Sequence, residues 1–285
     1  MATAVICEFN PFHNGHKYLL ESAKNVLKEP VIAIMSGSFT QRGEVAVCDK
    51  FVRAKSALEN GADLVLELPV VFSLSGAESF AKAGVAMAAA FDCTNYLAFG
   101  SESGDCELLK KSANAVCDER VHALVRDGMK NGGYYPRELE NAVKTVFGDE
   151  ISSVLCEPNN ILVVEYIKAL NGTGVEPFSV ARTGVAHDSR IAGEGFASAS
   201  HIREMLRNGE NAKKYAPYIP DEITFPENLD RPLLYRLRTM TREDIAKLPD
   251  VGEGLENRIA DVAVRCSTSS EIADLVKTKR YTHAR

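Results

Sequence analysis

Two periodicities alternate along the first half of the chain. Short apolar runs, Val5-Ile6-Cys7, Val31-Ile32-Ala33-Ile34-Met35, Leu64-Val65-Leu66-Glu67-Leu68 and Tyr96-Leu97-Ala98-Phe99, read as buried strands. Between them lie helical patterns. Lys17 to Leu27 carries Leu19, Leu20, Ala23, Val26 and Leu27 at helical spacing. Asp49 to Asn60 is followed by Gly61 at a C-cap position, and Ala77 to Phe91 is a small-residue helix suited to close packing on a sheet. Pro30 and Pro69 punctuate the boundaries. Near-continuous apolar strands separated by helices predict an α/β fold with a parallel sheet flanked by helices.

The second half predicts helices over Cys106 to Asp127, Pro136 to Val146 and Asn160 to Leu170. Phe178 to Ala181 reads as a fifth strand returning to the sheet, and Ser200 to Arg207 as a helix capped by Ser198 or Ser200. Pro217, Pro220, Pro226 and Pro232 then mark a break. The expected domains are therefore 1–216 and a smaller, mostly helical region, 217–285. In the latter, helices are predicted over Arg242 to Leu248, Gly254 to Cys266 and Ser269 to Lys279.

Composition narrows the class. Apolar residues make up 45% and charged ones 25% of 285 residues, which predicts a packed core rather than disorder. A formal net charge of −6 gives no global attraction to nucleic acid, so any RNA contact needs a local basic patch. The seven cysteines stand singly, with no CxxC pair, which argues against a disulfide framework and a zinc site. No basic and apolar leader opens the chain. The most apolar stretch, Ala83 to Phe91, falls short of the roughly 20 residues of a membrane span. The expected location is the cytoplasm, with no membrane partner.

The densest chemistry lies at the first strand-to-helix junction. Glu8-Phe9-Asn10-Pro11-Phe12 leads into His13-Asn14-Gly15-His16. Histidines three apart at a helix start share a face, and the helix N-terminus adds amide donors and partial positive charge. Gly15 removes a side chain where a phosphate would approach. Two imidazoles there suit the α-phosphate of a nucleotide as pyrophosphate leaves. Two surface histidines in a turn are the plain alternative; a metal pair would want a third ligand, and none is near in sequence.

Three further segments end strands or open helices. Ser36 to Glu44 offers Gln41 and Arg42 for a carboxylate or phosphate, and Lys50 and Arg53 follow at i,i+3 spacing. Phe99-Gly100-Ser101-Glu102 closes the fourth strand, with room at Gly100 for an adenine or ribose. Ser198 to Arg203 places Ser200 and Arg203 for terminal phosphates. Each also reads as a polar loop, a turn or an ordinary cap. Asn159 and Asn160 open a helix, and Arg182 ends the fifth strand facing the cleft. Lys277 to Arg285 is basic with one aromatic, a composition suited to RNA or to a solvated tail.

These motifs resemble a known family. The His-x-Gly-His turn and the Ser-x-x-x-Ile-Arg segment resemble Rossmann-like nucleotidyltransferases. The stretches 8–16, 36–44, 60–69, 99–102, 158–162, 197–203, 253–257 and 277–285 resemble the bacterial tRNA(Met) cytidine acetate ligases. The resemblance runs from residue 4 to residue 285, and members usually continue beyond the basic segment.

It implies a two-step reaction. Acetate attacks the α-phosphate of ATP to give acetyl-adenylate, and the acetyl group passes to N4 of the wobble cytidine of elongator tRNA(Met). By this resemblance ATP is wrapped by Ile6, Cys7, Glu8, Phe9, Asn10, Pro11, Phe12, His13, Asn14, Gly15, His16, Lys17, Tyr18 and Leu19, with Gly100, Asn159 or Asn160, and Arg182. His13 and His16 are the catalytic pair, and Mg²⁺ neutralises the triphosphate. Lys277, Lys279, Arg280, Tyr281 and Arg285 are the expected tRNA contacts. The alternatives are another enzyme of the superfamily that adenylylates a small phosphate or carboxylate acceptor, and a non-catalytic nucleotide- or RNA-binding module.

Overall fold

Five strands form one parallel sheet: β1 Ala2–Cys7, β2 Val31–Ser36, β3 Leu64–Leu68, β4 Thr94–Ser101 and β5 Glu176–Ala181. The computed structural model describes residues 1–181 and 195–278. Strand order is β3-β2-β1-β4-β5, the order of a doubly wound α/β domain. Both faces are covered, as the apolar runs require. On β1, Ala2, Ala4 and Ile6 join one core cluster, while Val5 joins the other.

The helices are α1 Asn14–Leu27, α2 Lys50–Glu59, α3 Val70–Ser73, α4 Ala77–Ala89, α5 Cys106–Val116, α6 Glu119–Lys130, α7 Tyr135–Phe147, α8 Asp149–Ser153, α9 Pro158–Leu170 and α10 Ala199–Arg207. Leu20 and Ala23 of α1 and Ala57 of α2 fill one core; α4, α5, α7 and α9 fill the other. The small residues of α4 do what their size predicts. A Cβ at Gly84 would meet Ile6 Cδ1 at 2.6 Å, so α4 lies against β1.

Two expectations need correction. Cys106 to Asp127 is not one helix. It breaks at Cys117, because Asp118 accepts the Arg120 amide at 2.8 Å and caps α6. The proline-marked stretch is not all irregular either. A helix, α11 Asp230–Thr239, starts within it, with Pro232 in the first turn. There the missing N–H breaks no helical bond.

Contacts divide the chain into two compact units, 1–41 with 46–223, and 42–45 with 224–285. In the described part of the second, α11 is followed by α12 Arg242–Ala246, α13 Leu255–Ala263 and α14 Ser269–Val276. Leu234, Val262, Ala263, Cys266 and Ile272 form its core. Arg238 donates to the carbonyls of Ala263 at 2.8 Å and Cys266 at 2.7 Å, which satisfies the end of α13. Among the described residues no helix is long and apolar enough to cross a membrane.

All seven cysteines are free thiols. Burial pushes the Cys48 thiol up to about 11, against the lowering field of Arg53. Iodoacetamide at neutral pH should therefore label exposed Cys93 and Cys117 in the native protein. Cys48 and Cys266 should react only on unfolding, as peptide mass spectrometry would read.

Candidate active site

In an open parallel sheet, ligands bind beyond the carboxyl ends of the strands where the chain order reverses. Here the reversal lies between β1 and β4. Residues 8–13 leave β1 at that crevice, and α1 begins at Asn14. Phe9 takes a left-handed φ of 48°. Its ring is buried, 5.0 Å from the Phe12 ring and 4.9 Å from the His16 ring, and that packing holds the turn.

The two imidazoles form a stacked pair, with centroids 3.7 Å apart and planes at 24°. Both are tied to the helix start. His13 Nδ1 accepts the Gly15 amide at 3.0 Å, and His16 Nδ1 accepts the His13 amide at 3.3 Å. This is a capping box built from histidines. It fixes the tautomer: Nδ1 carries the lone pair on both rings, so the proton of each neutral ring is on Nε2. The pair therefore presents N–H donors beside the helix N-terminus. Glycine at 15 has a steric reason, because a Cβ there would meet His13 Cε1 at 2.9 Å. The space foreseen for a phosphate is taken by the His13 ring.

Backbone bonds hold the surrounding loops. Glu8 Oε1 accepts the Gln41 amide at 2.7 Å, and Asn10 Oδ1 accepts the Val47 amide at 2.7 Å. Both bonds tie the turn after β1 to residues that follow β2. Arg53, 1% exposed, donates to the carbonyls of Glu8 at 2.5 Å, Ser36 at 3.2 Å, Cys48 at 3.1 Å and also Gly37. Its guanidinium is spent on the strand ends; it acts as a brace, and the phosphate contact expected of it is set aside. Burial lowers its pKa, opposed by Cys48, Cys7, Glu8 and Asp49.

From the other side, α10 reaches the same junction. Arg203 Nη1 donates to the Asn10 carbonyl at 2.9 Å. Ser198 caps α10 through the His201 amide at 3.1 Å, and its hydroxyl lies 3.0 Å from that of Ser200. Asn14 Nδ2 donates to the carbonyls of Gly195 at 2.8 Å and Lys214 at 3.1 Å.

The other residues singled out fall in different places. Ile6, Phe9, Pro11 and Phe12 are buried, and Leu19 packs on the core, so what those side chains do is pack. Cys7 donates to the Ile34 carbonyl at 3.6 Å. Lys17 pairs with Glu21 at 3.8 Å, and Tyr18 edges Phe196 at 6.3 Å. Lys50 pairs with Glu67 at 2.6 Å. Arg42 is exposed and groups with the second unit. Gly100 lies within β4 beside Val180. Lys277 is exposed after α14. Arg182, Lys279, Arg280, Tyr281 and Arg285 lie outside the described residues.

At the carboxyl end of β4, Asn159 Nδ2 donates to Glu102 Oε1 at 2.7 Å. Helix α9 leads into β5, so its first turn, with Asn159 and Asn160, meets the sheet at this edge. Unmet hydrogen bonding concentrates here. Among the described residues, five buried side-chain atoms lack a partner: Ser36 Oγ, Thr94 Oγ1, Glu102 Oε2, Asn160 Oδ1 and His201 Nδ1. Four of the five sit at strand carboxyl ends or in the first turns of α9 and α10; only Thr94 opens a strand. Buried polar atoms are normally paired, and a polar ligand at this edge would meet these atoms. Glu102 and His201 stand in segments named from the sequence, but neither was given a role there. For Glu102 the available signal was a carboxylate directly following a strand-ending Gly-Ser.

A family model described as HIGH Nucleotidyl Transferase matches residues 1–285. The chain is 38% identical to a protein of Thermoanaerobacter sp. (strain X514) named tRNA(Met) cytidine acetate ligase, over 99% of this chain and 74% of that one. The chain belongs to the tRNA(Met) cytidine acetate ligase family. A ligase of that name from Clostridium tetani is 36% identical, over 99% of this chain and 76% of its own length. Two solved structures of Thermotoga maritima TmcAL are similar at 32% identity, covering 99% of this chain and 72% of theirs. The apo form superposes with a TM-score of 0.89, and the form bound with alpha-thio ATP with 0.87. The family's nucleotidyltransferase-type α/β fold is the one described above.

Proposed function

We propose that this chain is an ATP-dependent, tRNA-modifying ligase that activates acetate as acetyl-adenylate and acetylates N4 of the wobble cytidine of elongator tRNA(Met). The observation that carries the chemistry is the stacked pair, with both Nδ1 atoms bonded to backbone amides, which leaves Nε2 to carry the proton of each neutral ring. Its placement at the switch point beside a helix N-terminus suits a triphosphate. Acetate attacks the α-phosphorus, and the bond to pyrophosphate breaks. Negative charge grows on the phosphate oxygens, where two positioned N–H donors stabilise it.

The nucleotide site in this reading includes residues 6–19, Gly100 and Asn160, with Arg182 following β5. Asn159 is committed to Glu102 through its amide nitrogen, whereas Asn160 keeps a buried acceptor for a donor on the nucleotide. Ser200 and Arg203 approach from α10. The magnesium that this chemistry uses would travel on the triphosphate. Mg²⁺ keeps phosphate and water ligands and needs no protein cage. Among the described residues no group of three His, Cys, Asp or Glu is placed to hold a metal. The basic segment from Lys277 onward is the proposed tRNA contact.

Acetate should drive exchange of labelled pyrophosphate into ATP. With bacterial tRNA present, labelled acetate should appear as N4-acetylcytidine on nucleoside analysis. Exchange driven instead by another carboxylate or a phosphate acceptor would favour the general nucleotidyltransferase reading and overturn this one.

A further inference from the structure

The second half-reaction sheds a proton that the first does not. Acetate arrives as an anion and becomes an anhydride with no proton transferred. The cytosine N4 amine is a weak nucleophile, because its lone pair is delocalised into the ring. As its nitrogen forms a bond to the acetyl carbon, a proton on that nitrogen must leave. Aminolysis of acetyl-adenylate therefore calls for a base at the crevice.

The carboxyl edge offers few. His13 and His16 have their Nδ1 lone pairs committed to backbone amides and hold protons on Nε2. Glu8 holds the Gln41 amide, and Glu67 is paired with Lys50. Asp105 caps α5 through the amides of Glu107 and Leu108. The Cys7 thiol donates to the Ile34 carbonyl, and burial raises it well above its ordinary value. Tyr166 is likewise raised by burial and stays a phenol. Glu102 differs. Its Oε1 is fixed by Asn159 at 2.7 Å, while its Oε2 is buried and without a partner. It is the one carboxylate oxygen among the unpartnered buried atoms of the described residues.

Position agrees with the chemistry. The β1–β4 pairing sets Ala4 beside Leu97. Both strands run on to the carboxyl edge, β1 to Cys7 and β4 to Ser101, so Glu102 follows β4 at the edge where the histidine turn follows β1. A carboxylate held at one oxygen and lacking a partner at the other is a preoriented acceptor on the β4 side of the switch point.

We propose that Glu102 is the general base of the acetyl-transfer step. The inference rests on the ligase reading above. The N4 nitrogen bonds to the acetyl carbonyl carbon. The bond from that carbon to the α-phosphate oxygen breaks, and AMP leaves with its electron pair. The surplus N4 proton passes to Glu102 Oε2. Asn159 is the positioning residue that holds the carboxylate through Oε1.

Glu102→Gln keeps an acceptor for Asn159 and removes the basic oxygen. The full chain, given chemically prepared acetyl-adenylate and tRNA, should transfer acetyl about 10²–10³-fold more slowly as the variant. Acetate-dependent pyrophosphate exchange, which moves no proton, should stay within about threefold of the unaltered chain, which also reports that the variant is folded. A parallel loss of exchange and a raised KM for ATP would make Glu102 a ligand of the ribose hydroxyls and overturn the proposal. Unchanged transfer would overturn it as well. Absence of acetate-dependent exchange in the unaltered chain would instead refute the ligase reading, a result separable from either outcome with the variant.

Discussion

His13→Asn and His16→Gln should each lower acetate-dependent pyrophosphate exchange by about 10²–10³-fold, the range for removing one positioned donor from a developing oxyanion. Both substitutions are chosen to spare the helix start. Asparagine is a good N-cap and supplies an oxygen for the first-turn amides. Glutamine three residues on can accept the residue 13 amide, as the third position of a capping box does. What disappears is the Nε2 donor of each ring. The rings stack at 3.7 Å and in the proposed reaction serve the same charge, so the double variant should lose less than the product of the single losses. Nucleotide affinity, measured by titration with ATP, should fall by less than about tenfold, because the donors matter most where charge develops. Exchange within threefold of the unaltered chain in both variants would remove the pair from the reaction.

Arg53→Ala should be the most destabilising single change at this end of the sheet, by about 4 kcal/mol in urea unfolding. Four buried or half-buried carbonyls, those of Glu8, Ser36, Gly37 and Cys48, lose a charged donor at once, and a cavity replaces the side chain. Arg53→Lys should recover only part of this, because one ammonium cannot span carbonyls from β1, β2 and the approach to α2. A side chain that served a phosphate would behave oppositely, with ATP affinity lost and the unfolding midpoint retained. The unfolding curve and a nucleotide titration on the same samples separate the two roles.

The architecture was legible because its signals are local and repeated. The run at 31–35 is apolar at every position, and β2 is buried throughout, as a strand covered on both faces requires; the similar run at 64–68 is the edge strand β3, where Leu64 and Glu67 are exposed. The small residues of Ala77 to Phe91 announced a close approach, and Gly84 against Ile6 is that approach. The break at Cys117 was missed because Asp118 was not read as a helix cap: Val121 and Val125, the buried residues of α6, do not continue the spacing of Leu109, Ala113 and Val116. The start of α11 was missed because proline was read only as a breaker, although the first helical turn accepts it.

The sequence by itself determined which residue types stand at each strand end, and the spacing that brings two imidazoles to one helix start. Those are properties of neighbours along the chain, fixed by backbone geometry. Only the tertiary structure decided how each group is used. Arg53 and Lys50 share a helix face and the same charge, yet one is buried on carbonyls and the other is paired with Glu67. Glu8 and Glu102 both follow a strand, yet Glu102 keeps a buried oxygen without a partner while Glu8 anchors a loop. The reason is physical: a polar side chain's role depends on which donors and acceptors reach it once water is excluded, and those come from segments far apart in sequence.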